Sequence, residues 1–335
     1  MNRPLIRRDV TTADLEAERL MVRAMELAAT VRTTTSPNPW VGCVVSPGPY
    51  EGATEAPGDR HAERVALDAA GPAAQGATLV STLEPCAHHA RTPPCTDAII
   101  EAGVARVVVG IEDPDPAVSG AGIAALRAAG IEVDLGVCAD QVRDQLAPYL
   151  KHRATGRPWL ILKMAVSLDG RAGAPDRSSQ WLTGDAARAD AHRLRAESDA
   201  VIVGAGTVRA DNPALTVRDV AGRDPLRVVI GSAPADAAVQ PVLEVSGELT
   251  EILDDLGRRG IVQALVEGGP TVAGAFHRAA LVDRYVFYLA PVLFGGDDGL
   301  PVFAGSGAPT MAELWRGQII SVVRLGADLR VELAP

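Results

Sequence analysis

The stretches "HAERVALDAAG", residues 61–71, and "EPCAHHARTPPCTDA", residues 84–98, organise the first half of the sequence. A helical pattern runs through residues 62–70, and another begins at the second cysteine of the later stretch. The β-rich runs "ATLVSTL" and "ARVVVGI" stand before and after that second helix. Strands that alternate with helices in this way predict a mostly parallel sheet in a three-layer α/β/α domain.

The same alternation begins again beyond a polar stretch at 150–158, "LKHRATGRP". This stretch predicts a domain boundary. It divides the chain into a first domain over 1–150, a linker over 151–157 and a second α/β domain over 158–335. The final run, "SVVRLGADLRVELAP", consists of two β-runs around Gly-Ala-Asp and predicts a terminal hairpin. Two stretches, 46–60 and 233–249, carry little strand signal.

The composition indicates a globular, cytoplasmic chain with two domains. Its 335 residues exceed what one ordinary core supports, and 47% are apolar while 22% are charged. A net charge of −10 argues against nucleic acid as a partner, although a small anionic ligand needs only a local basic pocket. The sequence has neither a signal peptide nor the roughly 20 consecutive apolar residues of a membrane helix, so no membrane association is expected.

Four cysteines in a chain without a signal peptide indicate metal binding or catalysis and not a disulfide framework. Cys43 and Cys138 lie in apolar, strand-like runs and are expected to be inert core residues. Cys86 and Cys95 lie near histidines. Together with His61 they offer one imidazole and two thiolates, a donor set that suits zinc.

Three protein ligands would leave a coordination position for water, which is the arrangement of a catalytic zinc site. Glu63 stands two residues after His61, where its carboxylate is expected to act as general acid and base on that water. Zinc-dependent nucleobase deaminases carry His-x-Glu followed by Pro-Cys-x-x-Cys. This sequence has His-Ala-Glu and Pro-Cys, with eight residues between the two cysteines. The alternative is a closed structural zinc site with His88 or His89 as fourth ligand, which leaves the position of Glu63 unexplained.

The loop between the cysteines, "PCAHHARTPPC", resembles that of the riboflavin-biosynthesis deaminases, in which Pro-Cys is followed after a short loop by Thr-Pro-Pro-Cys. A second segment, "SPNPWVG" at 36–42, is similar to the Pro-Asn-Pro-x-Val-Gly segment of the same family. The resemblance implies a cytidine-deaminase-like fold for the first domain. It also implies that Asn38 contacts the pyrimidine, while His88 and Arg91 face the base and its ribose phosphate.

In the second domain the run "LVEGGPTVAGAF" predicts an anion site, because a strand ends in two glycines and a helix with free backbone N–H groups begins at about Pro270. The alternative is a tight strand-to-helix turn without a ligand. The run "VIVGAGTVRADNP" contains only part of a dinucleotide fingerprint, because Arg209 stands where a third glycine belongs.

Several long runs of the second half, among them "LKMAVSLDGR", "SSQWLTG" and "LVEGGPTVAGAF", resemble the reductase half of the bifunctional riboflavin-biosynthesis proteins, a dihydrofolate-reductase-like fold that uses NADPH. The resemblance implies an NADPH site lined by Ala165, Trp181, Thr207, Asp211, Ser232, Gly269, Pro270, Thr271, Val272, Ala273, Gly274 and Ala275. It implies a substrate site formed by Ser179, Arg195, Leu215, Arg218 and Glu267. The two arginines are expected to grip phosphate oxygens, since a guanidinium binds phosphate through two parallel hydrogen bonds.

Together the two resemblances imply two steps on one phosphorylated pyrimidine. The first is zinc-dependent deamination of 2,5-diamino-6-ribosylamino-4(3H)-pyrimidinone 5′-phosphate. The second is reduction by NADPH of the ribose of 5-amino-6-(5-phosphoribosylamino)uracil to a ribityl chain. The rival hypotheses are a deaminase of tRNA or free nucleosides, a related enzyme for a modified pyrimidine, and a non-catalytic binding protein with a vestigial site. A homodimer is expected, with "RYVFYLAPVLF" at 284–294 as a candidate interface.

Overall fold

The computed structural model of the protein describes residues 11–87, 93–115 and 118–335. The chain forms two compact units, one ending at Ala154 and one beginning at Thr155. None of the helices in the described ranges is both long enough and apolar enough to cross a lipid bilayer.

The first unit is an α/β domain built on a five-stranded sheet. Its elements are α1 (Thr12–Thr30), β1 (Gly42–Ser46), β2 (Tyr50–Ala53), α2 (Ala62–Ala70), a 3₁₀ turn (Gly71–Ala74), β3 (Thr78–Leu83), α3 (Cys95–Glu101), β4 (Arg106–Ile111), α4 (Ala121–Ala128), β5 (Glu132–Leu135) and α5 (Ala139–Thr155). The strand order is β2-β1-β3-β4-β5. β3, β4 and β5 are parallel, whereas β1 is antiparallel to both of its neighbours. The predicted α/β alternation is confirmed, but the sheet is mixed and not mostly parallel because β1 and β2 form a hairpin.

β2 lies in the stretch 46–60, in which the residue pattern predicts no strand. That prediction is wrong because the four residues of β2 become a strand by pairing with β1 and have no alternating pattern of their own. Gly52 on β2 lets α2 approach closely, since a Cβ there would lie 2.2 Å from the Ala62 carbonyl oxygen and 2.6 Å from the Ala66 nitrogen. The hairpin therefore fixes the position of the N-terminal end of α2.

α5 continues through Thr155, so most of the predicted linker, 151–157, is helical. Its polar side chains suit an exposed helix face as well as a linker, and the chain turns only at Gly156, whose φ is +72°. Cys138 precedes this helix with a φ of +53° and is half-buried, so its predicted place in a core strand is wrong. Cys43 is fully buried in β1, as predicted.

The second unit is an α/β domain built on an eight-stranded sheet, with a separate two-stranded sheet of β7 and β13. Its elements are β6 (Trp159–Ser167), β7 (Arg171–Gly173), α6 (Asp185–Ala196), β8 (Ala200–Gly204), α7 (Ala205–Asp211), β9 (Leu226–Ile230), β10 (Leu243–Val245), α8 (Leu249–Arg258), β11 (Gln263–Val266), α9 (Pro270–Arg278), β12 (Arg284–Ala290), β13 (Leu300–Pro301), β14 (Gln318–Leu325) and β15 (Asp328–Ala334). The order is β10-β9-β8-β11-β6-β12-β15-β14. The first six of these strands are parallel, and β15 is antiparallel to β12 and β14.

β14 and β15 form the predicted terminal hairpin, with Leu325 facing Asp328 across the turn. The stretch 233–249, predicted to lack a strand, contains the three-residue β10 at the edge of the sheet. Three residues are too few to show a period, so the sequence pattern could not reveal it. The parallel strands β6, β8 and β11 all have their carboxyl ends on the same side of the sheet. Ligands of α/β sheets bind beyond these carboxyl ends.

Candidate active sites

Three predicted metal ligands meet at the ends of three elements of the first unit. His61 is the residue before α2, Cys86 follows β3, and Cys95 is the first residue of α3. Nδ1 of His61 lies 3.6 Å from Sγ of Cys86 and 3.3 Å from Sγ of Cys95. The three ligand atoms all lie within 4.8 Å of one another.

These distances fit a tetrahedral zinc ion. Zinc bonds of about 2.0 Å to nitrogen and about 2.3 Å to sulfur place the two donor atoms about 3.6 Å apart. In the described part of the chain the cluster consists of these three ligands. His88 and His89, which the closed alternative requires, lie outside the described residues. The donor set and its spacing therefore suit zinc held by one imidazole and two thiolates.

The two thiols of this site differ in their tendency to ionise. A hydrogen bond with Cys95, aided by the nearby His61, lowers the pKa of Cys86 to about 4. The same hydrogen bond with Cys86, together with burial, raises the pKa of Cys95. The backbone N–H of Cys95 also donates to Sγ of Cys86 over 3.4 Å. Because a divalent cation favours the thiolate form of both ligands, metal binding would release the remaining proton.

Glu63 is a carboxylate with only 4% exposure in the first turn of α2. Burial raises the pKa of this carboxyl, and His61 and Ser81 partly oppose the shift. The hydroxyl of Ser81 donates to Oε1 of Glu63 at 3.0 Å and thereby orients the group. A carboxyl whose pKa is raised toward neutrality suits proton transfer in both directions, as the predicted acid and base role requires.

Glu84 belongs to this site although the sequence pattern does not predict it. Its carboxylate is 4% exposed. It accepts four backbone N–H groups at 2.9 to 3.2 Å, those of Asp113, Gly120, Gly122 and Ile123. These donors lie just after β4 and at the N-terminal end of α4. Glu84 therefore connects the end of β4 and the start of α4 with the segment that carries Cys86. The only sequence signal is a glutamate directly before Pro-Cys, because its partners lie 29 to 39 residues away.

Of the three residues predicted to contact the substrate of the deaminase half, the structure describes only Asn38. Asn38 is half-buried in the turn between α1 and β1, and its N–H donates to the carbonyl oxygen of Thr35 at 2.9 Å. His88 and Arg91 lie outside the described residues. The contacts of all three residues with a pyrimidine stay predictions.

In the second unit, two residues predicted to hold the substrate bind each other. Arg195 on α6 and Glu267 after β11 form a two-point ion pair, through Nε with Oε1 and through Nη2 with Oε2. Lys163 on β6 lies 3.6 Å from Oε2 of the same carboxylate. Burial opposes ionisation of Glu267, but Arg195 and Lys163 outweigh burial and lower the pKa of its carboxyl to about 2. The bidentate edge of Arg195 is thus occupied by a carboxylate and not free for a phosphate.

Of the two arginines predicted to bind phosphate, Arg218 is the one exposed to solvent. Its Nη1 donates to Oγ1 of Thr216 at 3.0 Å, and the described residues provide no carboxylate partner for its guanidinium. Its backbone N–H donates to Nδ1 of His192 at 3.1 Å. Leu215, also predicted in the substrate site, is buried and has a φ of +53°. The predicted phosphate contact is therefore better placed on Arg218 than on Arg195.

Two pairs of predicted residues meet beyond the carboxyl ends of the parallel strands. Oγ1 of Thr207 on α7 accepts the N–H of Gly269, the residue before α9, at 3.1 Å. This contact uses one of the N–H groups predicted to be free at the start of α9, but it leaves the Thr207 hydroxyl hydrogen available to donate. Oγ of Ser179 lies 3.4 Å from Oδ1 of Asp211, so a predicted substrate residue adjoins a predicted cofactor residue.

The other predicted cofactor residues differ in accessibility. Trp181 and Ser232 are exposed, and Ala165 is half-buried on β6. Ala273 is fully buried in α9. Gly274 packs so closely on a neighbouring carbonyl oxygen that a Cβ would approach it to 2.3 Å. In this arrangement Ala273 and Gly274 pack the helix, whereas Thr271 in the first turn of α9 is exposed and marks the part accessible to an anion.

Comparison with known proteins covers both units. The family described as the RibD C-terminal domain matches residues 158–331, and the cytidine and deoxycytidylate deaminase zinc-binding region matches residues 15–111. The riboflavin biosynthesis protein RibD of Mycobacterium tuberculosis is 43% identical over 328 residues, which cover 92% of this chain and 95% of that protein. The chain belongs to the RibD family of riboflavin biosynthesis proteins.

Other members of the RibD family agree with this placement. RibD of Escherichia coli is 40% identical over 84% of this chain and 90% of its own length. A solved structure of Acinetobacter baumannii RibD has a TM-score of 0.90 at 37% identity, covering 96% of this chain and 99% of that one. The deaminase/reductase structure from Thermotoga maritima has a TM-score of 0.87 at 35% identity, with coverage of 96% and 99%.

Membership of the RibD family confirms the predicted fold class, a cytidine-deaminase-like domain followed by a dihydrofolate-reductase-like reductase domain. The chain is a bifunctional enzyme of the riboflavin pathway, with a deaminase half and a reductase half. A deaminase of tRNA or free nucleosides leaves the second half unexplained. The complete set of ligand residues in the first half argues against a vestigial site.

Proposed function

We propose that the chain deaminates 2,5-diamino-6-ribosylamino-4(3H)-pyrimidinone 5′-phosphate and then reduces the ribose of 5-amino-6-(5-phosphoribosylamino)uracil with NADPH. The observation that carries the first step is the cluster of His61, Cys86 and Cys95 beside the buried carboxyl of Glu63. The second step follows from the RibD C-terminal domain over 158–331.

In the deaminase half, His61, Cys86 and Cys95 would hold the zinc ion. When bound there, zinc supplies Lewis acidity and makes water a stronger nucleophile near neutral pH. Glu63 takes a proton from the attacking water and passes it to the adjacent ring nitrogen. It then moves the remaining hydroxyl proton to the exocyclic nitrogen, which leaves as ammonia while the ring carbon becomes a carbonyl. Ser81 holds the Glu63 carboxyl through its hydroxyl, and the raised pKa makes the carboxylate a stronger base toward the proton of the attacking water.

In the reductase half, NADPH would supply the hydride. The first turn of α9 and the hydroxyl of Thr207 are suited to its anionic phosphates, since helix N-termini present unpaired N–H groups. Arg218 would bind the substrate phosphate with its exposed guanidinium. Arg195 pairs with Glu267 and donates through Nη1 to the carbonyl oxygen of Thr216, which is close to Arg218 in the chain.

A homodimer in the cytoplasm completes the proposal. Within the stretch first expected at the interface, β12 pairs on both sides with β6 and β15, so neither of its backbone edges is open to a partner. The edge strand β14 is the better candidate, because Ile319, Ile320, Val322 and Val323 are all 42% or more exposed. All four cysteines are free thiols, which supports a reducing compartment.

The test uses the purified protein with the diaminopyrimidine phosphate, while ammonia and NADPH absorbance are followed separately. We expect ammonia release without NADPH, and NADPH oxidation only after the deaminated product has formed or is supplied. Cytidine serves as the comparison substrate. Faster ammonia release from cytidine than from the diaminopyrimidine phosphate would contradict the proposed substrate.

A further inference from the structure

His192 is a buried histidine on α6 to which neither step assigns a role. The residue is only 7% exposed. Nδ1 of the ring lies 3.1 Å from the backbone nitrogen of Arg218 and accepts its N–H. Since a backbone N–H can only donate, Nδ1 carries no proton, and the ring is the neutral form with its hydrogen on Nε2.

The bond of His192 and a bond of Arg195 both tie α6 to the segment that carries Arg218. One turn further along the helix, Nη1 of Arg195 donates to the carbonyl oxygen of Thr216 at 3.1 Å. The segment is strained, because Leu215 has a φ of +53° and Asp219 a φ of +65°. A non-glycine residue in this region of φ is unfavourable and persists only where the surroundings hold it.

We propose that His192 is a positioning residue for the reductase reaction: its neutral ring fixes the backbone of Arg218 so that the guanidinium stays directed at the substrate phosphate. The inference rests on the proposed role of Arg218 in phosphate binding. Protonation of Nδ1 removes the acceptor, frees the strained segment and weakens binding of the phosphorylated substrate. The cofactor site, on α7 and α9, is not held by this bond.

The charges around His192 favour the neutral ring. Burial, followed by Arg195 on its own helix and Arg218 on the facing segment, lowers the pKa of His192 below its usual 6.5, while Asp219 and Glu267 act in the opposite direction. The hydrogen bond is therefore intact at neutral pH and is lost only as pH falls below 6.5. In the same way, the contribution of His192 to folding is present above pH 6.5 and is lost as pH falls through the lowered pKa.

The test compares His192→Leu and His192→Gln with the wild-type enzyme, using the deaminated ribosylamino substrate and NADPH. At about pH 7.5 we expect His192→Leu to raise KM for this substrate about fivefold, the change that loss of one hydrogen bond produces. The values of kcat and of KM for NADPH stay near those of the wild type. His192→Gln restores KM, because its amide oxygen can accept the same N–H and does not titrate. Ammonia release by the first unit checks that each preparation is intact.

The pH profile separates positioning from simple packing. The substrate phosphate itself titrates at about pH 6, so the measured quantity is the ratio of KM between wild type and His192→Gln. We expect this ratio to rise as pH falls from about 7.5 to about 5.5. A ratio that stays constant, or a His192→Leu enzyme with unchanged KM, overturns the inference.

Arg218→Gln distinguishes failure of this inference from failure of the proposed phosphate contact. If Arg218→Gln raises KM for the substrate and His192→Leu does not, only the positioning role is wrong. If Arg218→Gln leaves KM unchanged, the phosphate contact on which the inference rests is itself wrong. His152→Gln, a histidine change in the first unit, serves as the matched control.

Discussion

Glu63 and Glu267 are both buried carboxyl groups, but their neighbours move their pKa values in opposite directions. For Glu63 burial dominates and raises the pKa. For Glu267 the charges of Arg195 and Lys163 outweigh burial and lower the pKa to about 2. The environment of Glu63 thus suits a carboxyl that takes up and releases a proton, whereas the environment of Glu267 keeps its carboxylate ionised.

Replacement of Glu267 by glutamine tests the buried ion pair. The change leaves Arg195 and Lys163 without their counter-charge, so we expect the second unit to lose about 3–5 kcal/mol of stability. Because the pKa of Glu267 in the folded protein, about 2, lies below the usual 4.5, its contribution is present above pH 4.5 and is lost as pH falls toward 2. Urea unfolding curves, recorded by circular dichroism at neutral and at acidic pH, measure both effects.

The matched control for this prediction is Asp185→Asn, which removes an ion pair whose carboxylate is 95% exposed. We expect it to change stability by less than about 1 kcal/mol. Equal unfolding midpoints for Glu267→Gln and Asp185→Asn would show that the buried pair does not stabilise the unit.

Glu84→Gln tests whether the carboxylate beside the metal loop supports the metal ligands. An amide has one oxygen where the carboxylate has two, so its NH₂ group opposes two of the four N–H donors. Loss of such supporting contacts lowers metal affinity by about 10–100-fold. We expect a zinc dissociation constant raised by this factor in competition with a chelator, while the exposed Glu112→Gln leaves it unchanged. Unaltered affinity in Glu84→Gln contradicts the supporting role.

The residues of the metal centre were predictable from sequence, and those that support it were not. His61, Glu63, Cys86 and Cys95 reveal themselves by residue type and local spacing, because the chemistry of zinc selects them. Glu84 binds only backbone N–H groups, which every residue except proline possesses. His192 likewise contacts a backbone N–H, 26 residues away. Partners without a distinctive side chain become visible only when the fold brings them together.

At the scale of elements, short strands decide where the longer elements lie. β2 and β10 have four and three residues, and neither shows a pattern, since each becomes a strand by pairing at a sheet edge. The long buried runs of β3, β4, β6 and β8 were predictable because their apolar and β-branched residues are continuous. Gly52 on β2 links such a short strand to function. Its close packing on α2 positions the helix that carries Glu63.

Gly52→Ala tests this packing. A Cβ at this position would lie 2.2 Å from a carbonyl oxygen of α2, so the helix must shift away from the strand. We expect ammonia release to fall at least tenfold and NADPH oxidation with the deaminated substrate to continue, because misplacement of a catalytic group by about 1 Å has effects of this size. Gly307→Ala, where the added methyl group meets open space, is the control. Full deaminase activity in Gly52→Ala would show that the contact does not position α2.

Val322→Lys tests β14 as the dimer interface. This side chain is 57% exposed on an edge strand, a position that soluble proteins usually protect with charge or cover with a partner. We expect the wild type to sediment as a dimer and the variant as a monomer at the same concentration. Val22→Lys on α1, 45% exposed, introduces the same charge elsewhere and should leave the dimer intact. A wild-type monomer, or a dimeric Val322→Lys, contradicts the proposed interface.

At the scale of the whole molecule, the two units have separate hydrophobic cores and separate chemistry. The core of the first unit surrounds β1, β3 and β4, whereas the cores of the second surround β6, β8, β11 and β12. The metal ligands and Glu63 all belong to the first unit, and the proposed NADPH residues all belong to the second. Removal of metal is therefore expected to stop one reaction and spare the other.

The most direct measurement records ammonia release and NADPH oxidation from one preparation before chelation, after chelation, and after addition of one equivalent of zinc. We expect the metal-free protein to release no ammonia, to oxidise NADPH with the deaminated substrate at the original rate, and to regain deamination with zinc. Glu63→Gln should bind the same equivalent of zinc without regaining deamination, whereas the exposed Glu101→Gln should regain it. Ammonia release that persists in the metal-free protein, or in zinc-loaded Glu63→Gln, would contradict the account.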